Sequence, residues 1–473
     1  MKTTAIAFAF AAFLIFPSLK AQDNLGIAGS NYSPANTVLV NPSSIVDNKA
    51  FIDINLVGVG VFAQNNLVSM NGSLIRLYRA SSNSIAIEEP DFHLGKKSYY
   101  ALADVNVHGP SATFQVKRWG FGIYTGIRSV TDARRITPEL ANYAVNGLQY
   151  AEQFGKEYDI RNLRFNTLTW GEVGVTAGTI VKQRGTELIT AGITVKRLFG
   201  IMGGSMHLDK WNYMVVDSSE MVTYDVSGRY GFNEPGWASG KGWSADIGFT
   251  YKKTLEDVTG YVPHSKKSNC TTCDYKYKIS MALLDVGRIK FKNPYFYQEF
   301  NEGTYNWEDY DQFDPEDSGE LNSAISDEFN LADQQSKFKM WLPTALSAQV
   351  DFNLGKNFFL NATYIGGVPW IKSLGPQRGA QIGVTPRFEL KRIEVAVPFV
   401  LHEYRRPHIG AMIRLNSIII GTDNLGAYLL NQDVYGADIY FSIKYTIFKN
   451  FKCRTKRSRS QSKKKGAMPC WEG

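Results

Sequence analysis

Apolar and polar residues alternate with a period of two along much of this chain. In residues 344–364, "TALSAQVDFNLGKNFFLNATY", the alternation continues on both sides of a turn at 354–357. A strand with this period has one apolar face and one polar face. Because a soluble β-sandwich has the same period, the pattern predicts strands without fixing their environment.

The lengths of the connections point to that environment. Tight turns are predicted at 117–120, 183–186, 354–357 and 390–392, and around Asn416. The long connections are predicted at roughly 65–98, 132–162, 207–240 and 291–339. Short turns on one rim and long loops on the other are typical of outer-membrane barrels.

The strands add up to an all-β fold, a transmembrane antiparallel β-barrel of about 14 strands. A turn at Asn416 keeps the number even, as in single-chain bacterial barrels. A bulge is predicted at Gly109-Pro110, since proline cannot donate to the ladder. The predicted strands are 51–64, 99–117, 119–131, 163–183, 187–206, 241–253, 275–290, 340–354, 357–369, 377–389, 391–402, 407–415, 417–422 and 435–448.

The last predicted strand shows the two faces. Its expected lipid-facing residues are Ile439, Phe441, Ile443, Tyr445 and Ile447. Its expected lumen-facing residues are Tyr440, Ser442, Lys444 and Thr446. The composition agrees with a barrel, since 28 Phe, 25 Tyr and 42 Gly accompany a charged fraction of only 20%. A barrel strand needs only one apolar face, so its mean hydropathy stays polar.

The N-terminus has the pattern of a secretory signal peptide over residues 1–21. Lys2 precedes an apolar run from Ala5 to Phe16, and small residues lead to a cleavage site near Ala21. The run is too short to span a bilayer, which takes about 20 apolar residues. Together with the barrel pattern, this predicts the outer membrane of a Gram-negative bacterium, whose lipid is then the first partner.

The positive charge is concentrated at the other end of the chain. Residues 449–473 contain nine Lys/Arg and one acid, so their net charge of +8 equals that of the whole chain. With the barrel at 51–448, this tail and the C-terminus are predicted to be periplasmic. A secreted chain makes nucleic acid a poor partner, and the tail would meet anionic head groups or an acidic protein instead.

The segment after the signal peptide reads "NLGIAGSNYSPANTVLVNPSSIVDNKAFIDINLVGVGVF". It resembles the N-terminal hatch of the FadL-like superfamily, which includes long-chain fatty-acid transporters and the type IX secretion shuttle barrel. That family has Asn-Pro-Ala where this chain has Asn41, Pro42 and Ser43. "WLPTALSAQVDFNLGKN", "GAMIRLNSIIIGTDNLGAYL" and "DVYGADIYFSIKY" are similar to a family of such barrels without an assigned activity.

The resemblance spans residues 22–448 and implies a hatch at 22–50 inside the barrel. Pro42 removes a backbone donor and holds Asn41 extended, while the Asn41 side chain can bond to nearby backbone groups. A buried segment that is not a strand needs such local partners. An ordinary N-terminal turn is the alternative interpretation of the same residues.

Four cysteines form the first candidate site. Cys270 and Cys273, with His264 before them, lie in the one long connection predicted on the short-turn side. Cys453 and Cys470 lie in the tail, which is predicted on that same side. Two disulfides are expected in an oxidising periplasm, and a zinc site is the alternative.

Two further candidates lie in the long connections. Residues 299–333 contain twelve Asp/Glu and no Lys/Arg, and Asp309, Asp311 and Glu320 have the spacing of calcium-loop positions. Phe313 and Asp314 break that motif, so a looser divalent-ion site competes with an ordinary solvated loop. Residues 137–154 predict a helix with Leu140, Tyr143 and Leu148 on one side, either a lid over the mouth or a helix packed on the rim.

No catalytic motif stands out. Gly58-x-Gly60-x-x-Ala63 lacks the helix that a dinucleotide site requires, and no nucleotide-binding loop, metalloprotease motif or nucleophile elbow is present. The sequence therefore predicts no enzyme and no cofactor. The expected function is a channel or transporter for a hydrophobic or small solute through a hatch-gated lumen. The alternative is a scaffold that docks an envelope or secretion-machinery protein through its loops or tail.

Overall fold

The fold was analysed in a computed structural model of the full chain. The structure describes residues 24–82, 90–146, 151–218, 220–265, 272–292, 295–300, 305–307, 338–368 and 374–449. The predicted signal peptide and most of the basic tail lie outside these residues. So do Leu148, Cys270, Cys453, Cys470, Asp309, Asp311 and Glu320, as well as the side chain of Tyr143.

Antiparallel strands close into a barrel of 14 strands, as the alternation predicts. The first seven are β1 (Ile52–Asn65), β2 (Tyr99–His108 and Ser111–Val116), β3 (Trp119–Ile136), β4 (Glu157–Arg184), β5 (Glu187–Val215), β6 (Met221–Asn233 and Gly240–Thr254) and β7 (Tyr275–Phe291, Tyr295–Phe300 and Tyr305–Trp307). The others are β8 (Phe338–Trp341 and Ala345–Gly355), β9 (Phe358–Gly367), β10 (Gln381–Glu389), β11 (Ile393–Ala396 and Phe399–His402), β12 (Arg406–Ile409 and Ala411–Leu415), β13 (Ile418–Thr422) and β14 (Gly436–Ile447).

The barrel closes where β1 pairs with β14, from Ile52 opposite Ile447 to Gln64 opposite Gly436. The two faces of β14 are as predicted, since Phe441 and Tyr445 are exposed whereas Tyr440, Ser442 and Lys444 are buried. The break at Gly109-Pro110 separates the two segments of β2, and Asn416 turns between β12 and β13 with φ of 49°.

One rim carries the tight turns, with residues 255–274 as its longest described connection; we call it the short-turn rim. The predicted long connections at 132–162, 207–240 and 291–339 are wrong in extent. In each, part of the described residues continues the barrel wall as strands, and β4 and β5 reach 28 and 29 residues. A membrane crossing takes only about 9–11 residues, so much of β4 and β5 stands outside the bilayer on the long-loop rim.

The helices are short. Three lie in residues 24–50: α1 (Leu25–Ala28), α2 (Pro34–Thr37) and a 3-10 turn at Pro42–Ile45. The others are α3 (Leu74–Ser82), α4 (Pro138–Asn146), a 3-10 turn at Ala151–Gln153 and α5 (Gly426–Leu429). Of the helix predicted at 137–154, the described residues form α4 and, at its C-terminal end, the 3-10 turn at Ala151–Gln153. Among the described residues, no helix has the length and apolar character to cross a membrane.

The exposed apolar faces predict a depth-dependent response to charge. Phe441 is exposed and lies six residues from the end of β14, about 15 Å along the barrel axis. We expect Phe441→Arg to lower the free energy of unfolding in phospholipid vesicles by about 2–4 kcal/mol. Phe358→Arg, at the first residue of β9, should cost about 1 kcal/mol or less. Equal losses for the two variants would contradict this placement in the bilayer.

Candidate functional site

Residues 24–50, which we call the inner segment, lie inside the barrel. Nearly all of them are buried, and they contact lumen-facing side chains from most of the strands. Leu25 and Ala28 pack with Ala345 and Val400, while Ile27 packs with residues of β11 to β14. The inner segment therefore fills the lumen near the short-turn rim.

The 3-10 turn is held by Asn41 and by the barrel wall. Asn41 is extended, with φ of −159°, and its side chain accepts from the Ser43 backbone N–H at 3.0 Å. It also donates to Thr250 Oγ1 at 3.1 Å. The facing wall residues are Gly192 and Gly248, and a Cβ at Gly192 would lie 2.5 Å from the Pro42 carbonyl. Glycine at these positions lets the turn pack directly against the backbone of β5 and β6.

Charged side chains of the barrel bond to the backbone of the inner segment. Lys444 Nζ donates to the Tyr32 carbonyl at 2.7 Å and also pairs with Asp53 at 3.1 Å. The Ala35 N–H donates to Asp53 at 3.2 Å, and the Asn31 N–H donates to Glu389 at 3.3 Å. Buried N–H and C=O groups outside a strand ladder need partners of this kind.

Those charges continue into an ion network across β7 to β12. Arg387 forks onto Asp351, with distances of 2.9 and 3.0 Å, and also bonds to Glu389 at 2.7 Å. Arg414 pairs with Glu394 at 2.9 Å, and Glu394 accepts from Ser30 Oγ at 2.8 Å. Removing one partner of a buried ion pair costs about 3–5 kcal/mol, so the network fixes the wall carboxylates that bond to the segment.

A second ion cluster is centred on Asp285. Its carboxylate pairs with Lys196 at 2.6 Å, Arg128 at 2.9 Å and Arg378 at 3.4 Å. Lys196 also pairs with Asp246 at 2.7 Å. Because Arg378 comes from the connection between β9 and β10, that connection folds into the lumen. The described lumen is thus filled by charge pairs at this level and not by an open apolar path.

The C-terminal end of the inner segment is clamped by the 255–274 connection. Asp47 accepts from Tyr261 Oη at 2.7 Å and pairs with Lys252 at 2.8 Å. His264 Nε2 lies 3.0 Å from the Asn48 carbonyl, and the thiol of Cys273 is buried beside Tyr261. Burial and, next, the Asp47 charge raise the pKa of the Cys273 thiol far above its usual range.

A cavity of about 220 Å³ lies between β1, β11, β12, β14 and the connection carrying α5. Its walls include Phe62, Gln64, His402, Arg406 and Asp438. A smaller cavity of about 40 Å³ adjoins it and shares Phe62, Gln64 and His402. Neither polar atom of Gln64 has a hydrogen-bond partner among the described residues, although the residue is only 4% exposed.

The structure brings some of the predicted site residues together and leaves others outside its description. Asn41, Pro42 and Ser43 form the turn against β5 and β6. Leu140 lies in α4 and packs on a buried apolar cluster at the rim. Its backbone N–H donates to Thr137 Oγ1. The cysteine pairing, the zinc alternative and the divalent-ion site remain predictions, since most of their residues are not described. Among the described residues, no three His, Cys, Asp or Glu side chains group as metal ligands.

Sequence reasoning missed the Asp47 clamp and the Gln64 cavity. Asp47 and its partner Lys252 are separated by 205 positions, so no local motif links them. Gln64 belongs to "AQNN", which resembles the start of a loop. The lumen-facing phase of β1 continued from Asp53 would place Gln64 outside, because the register shift between Asn55 and Val57 reverses the phase.

Comparison with known proteins gives a family. A family model described as "Family of unknown function (DUF5723)" matches residues 42–423. The chain belongs to the DUF5723 family. The match covers the 3-10 turn and the barrel through β13. None of the curated proteins compared with this DUF5723 chain matches it.

The solved structures similar to this DUF5723 barrel include toluene transporters and a FadL homologue. The toluene transporter TbuX of Ralstonia pickettii is 10% identical, with 91% of this chain and 100% of that chain covered and a TM-score of 0.40. The Pseudomonas putida toluene transporter TodX is 8% identical, with 88% and 95% covered and a TM-score of 0.41. A Pseudomonas aeruginosa FadL homologue is 8% identical, with 91% and 98% covered and a TM-score of 0.33.

These neighbours include a FadL homologue, as the sequence resemblance predicts. The barrel architecture itself rests on the strand pairing described above.

The close contact at Gly192 predicts how the inner segment can be loosened. We expect Gly192→Ala to push the Pro42 turn from the wall and to speed amide hydrogen exchange in residues 41–46, measured by mass spectrometry in micelles. Gly58→Ala is the matched control, because its Cβ would meet His108 at an ordinary 3.5 Å. Unchanged exchange in the Gly192 variant would contradict the packing of the turn.

The clamp predicts the reactivity of Cys273. With Cys270, Cys453 and Cys470 replaced by serine, the raised pKa should keep the thiol largely protonated at pH 8. Since the thiolate is the nucleophile, iodoacetamide should react slowly. Asp47→Ala should open the clamp, lower the pKa and speed alkylation at least tenfold. Lys182→Met, which breaks an exposed ion pair with Glu187 on the same rim, should leave the rate unchanged. Equal rates in the two variants would exclude a role for Asp47.

Proposed function

We propose that this DUF5723 barrel is a non-enzymatic outer-membrane channel or transporter for a small solute, gated by the inner segment. The single observation that carries the proposal is the position of the inner segment. It fills the lumen of a closed barrel but is attached by side-chain bonds and packing, and not as a strand of the wall. Such a segment can move while every wall strand keeps its ladder.

The 220 Å³ cavity supplies a place from which a solute would act on that segment. Asp438 lines the cavity and accepts from the Asp423 N–H at 2.6 Å. Asp423 in turn accepts from the Leu25 N–H at 3.0 Å, at the first helix of the inner segment. A solute that shifts Asp438 therefore alters the bond holding the N-terminal end of the segment.

The lining of the cavity and of the lumen restricts the candidate solutes to small ones. The cavity is smaller than the ~300–1,000 Å³ usual for drug-sized ligands. Its walls combine two imidazoles, three amides, a guanidinium and two carboxylates with the ring of Phe62. A small solute with polar groups fits these walls better than a long hydrocarbon chain does.

A scaffold is the second candidate function, and the filled lumen favours it. The ion network around Arg387 and the cluster around Asp285 both have to be breached for a solute to pass. In this alternative the wall of β4 to β7 outside the bilayer, or the basic tail, docks an envelope or secretion-machinery protein. Crosslinking and co-purification from native membranes test it, and a barrel recovered consistently alone counts against it.

A reversible tether tests gating directly. Ser43 Oγ and Thr250 Oγ1 are 2.7 Å apart, so Ser43→Cys with Thr250→Cys should form a disulfide between the segment and β6. The four native cysteines are replaced by serine in this variant. We expect the oxidised form to lose solute entry in a liposome-swelling assay with sugars and amino acids of graded size, and reductant to restore it.

The serine-substituted parent under the same oxidant is the control for the tether. Gly192→Ala, which loosens the same turn, should raise the rate of swelling. If no solute enters through the parent, the reduced tether or the Gly192 variant, transport is excluded and the scaffold remains.

A further inference from the structure

Gln64 is a buried cavity residue whose side-chain amide lacks hydrogen-bond partners among the described residues. Its side chain points to the lumen from β1 and lines both the larger and the smaller cavity. Its Oε1 and Nε2 are buried, and neither has a partner among the described residues. Buried amides are normally hydrogen-bonded, so this amide offers one acceptor and two donors to whatever occupies the cavity.

Two opposite charges stand on the same walls. Arg406 stacks on the ring of Tyr435, 3.5 Å from its centroid, and forms no ion pair with a described residue. Asp438 lies opposite Phe62 in the β1–β14 pair, and both residues line the cavity. A guanidinium binds carboxylates, and a carboxylate binds ammonium groups.

The smaller, adjoining cavity also has polar side chains in its lining. Gln381 lines it, is 5% exposed, and its Oε1 also has no partner among the described residues. Two buried amides thus face adjoining spaces that share Phe62, Gln64 and His402. An apolar solute would leave the Gln64 amide and Gln381 Oε1 unbonded, which disfavours it at this site.

We propose that the cavity binds a small zwitterionic solute of amino-acid size. Its carboxylate pairs with Arg406, its ammonium group approaches Asp438, and its side chain bonds to the amide of Gln64. This inference rests on the proposed function in naming the solute class, but the binding itself is an equilibrium property of the cavity. It therefore stands or falls separately from transport.

The test is equilibrium binding of L-glutamine to the full chain in detergent micelles, with toluene as the apolar probe, by saturation-transfer NMR and calorimetry. We expect L-glutamine to bind and toluene not to compete. Gln64→Leu should weaken L-glutamine binding at least tenfold. Gln349→Leu is the matched control, because Gln349 is a buried lumen-facing glutamine, 6% exposed, outside both cavity linings.

Arg406→Met provides a second variant if Gln64→Leu fails to fold, and it should also weaken binding at least tenfold. The inference is overturned if the wild type binds no L-glutamine, if toluene binds in its place, or if Gln64→Leu binds as well as Gln349→Leu does. Binding of L-glutamine without swelling would exclude transport only. Swelling with other solutes but no binding of L-glutamine would exclude this inference only.

Discussion

The structure depends on one constraint, that a non-strand segment buried inside a barrel has to find partners for its backbone there. The strand ladder takes up most of the backbone N–H and C=O groups of the wall. Many groups of residues 24–50 bond within the segment's own helices and turns. Wall side chains bond to others, as Lys444 does to Tyr32 and Asp53 to Ala35. The charged lumen follows from this need, because carboxylates and ammonium groups are strong partners for backbone groups.

The same partners decide how the segment can move. Asp53 and Glu389, which bond to the segment, are also paired with the wall charges Lys444 and Arg387. When the segment leaves, these two wall pairs remain, so neither carboxylate is left without an ion partner. Displacement then breaks hydrogen bonds without breaking ion pairs at these sites, which is a far smaller cost. The ion pair between Asp47 and Lys252 is the exception, because it joins the segment to the wall and breaks when the segment moves. The segment is therefore held most firmly at its C-terminal end.

The wall was predictable from sequence because its chemistry is local. Alternation such as that of Phe441 and Ser442 fixes which side of β14 meets lipid, and Asn416 marks a turn at positive φ. The strand extensions at 207–233 were missed because the outer face of a wall outside the bilayer is exposed to water. Such strands need no apolar outer face and do not show the alternation of apolar and polar residues. Gln64 and Asp47 were missed for another reason. The residues that surround them come from strands distant in the sequence, so no local spacing predicts these contacts.

The strands of the barrel wall differ in length, so the wall is taller on one side of the barrel than on the other. β4 and β5 have 28 and 29 residues, whereas β9 and β10 have 10 and 9. On the long-loop rim, β4 and β5 therefore rise above the shorter part of the wall. The Gln64 cavity lies among β1, β11, β12 and β14, on the side of the barrel away from those two strands. A solute on its way to the cavity therefore does not have to pass between the two tallest strands.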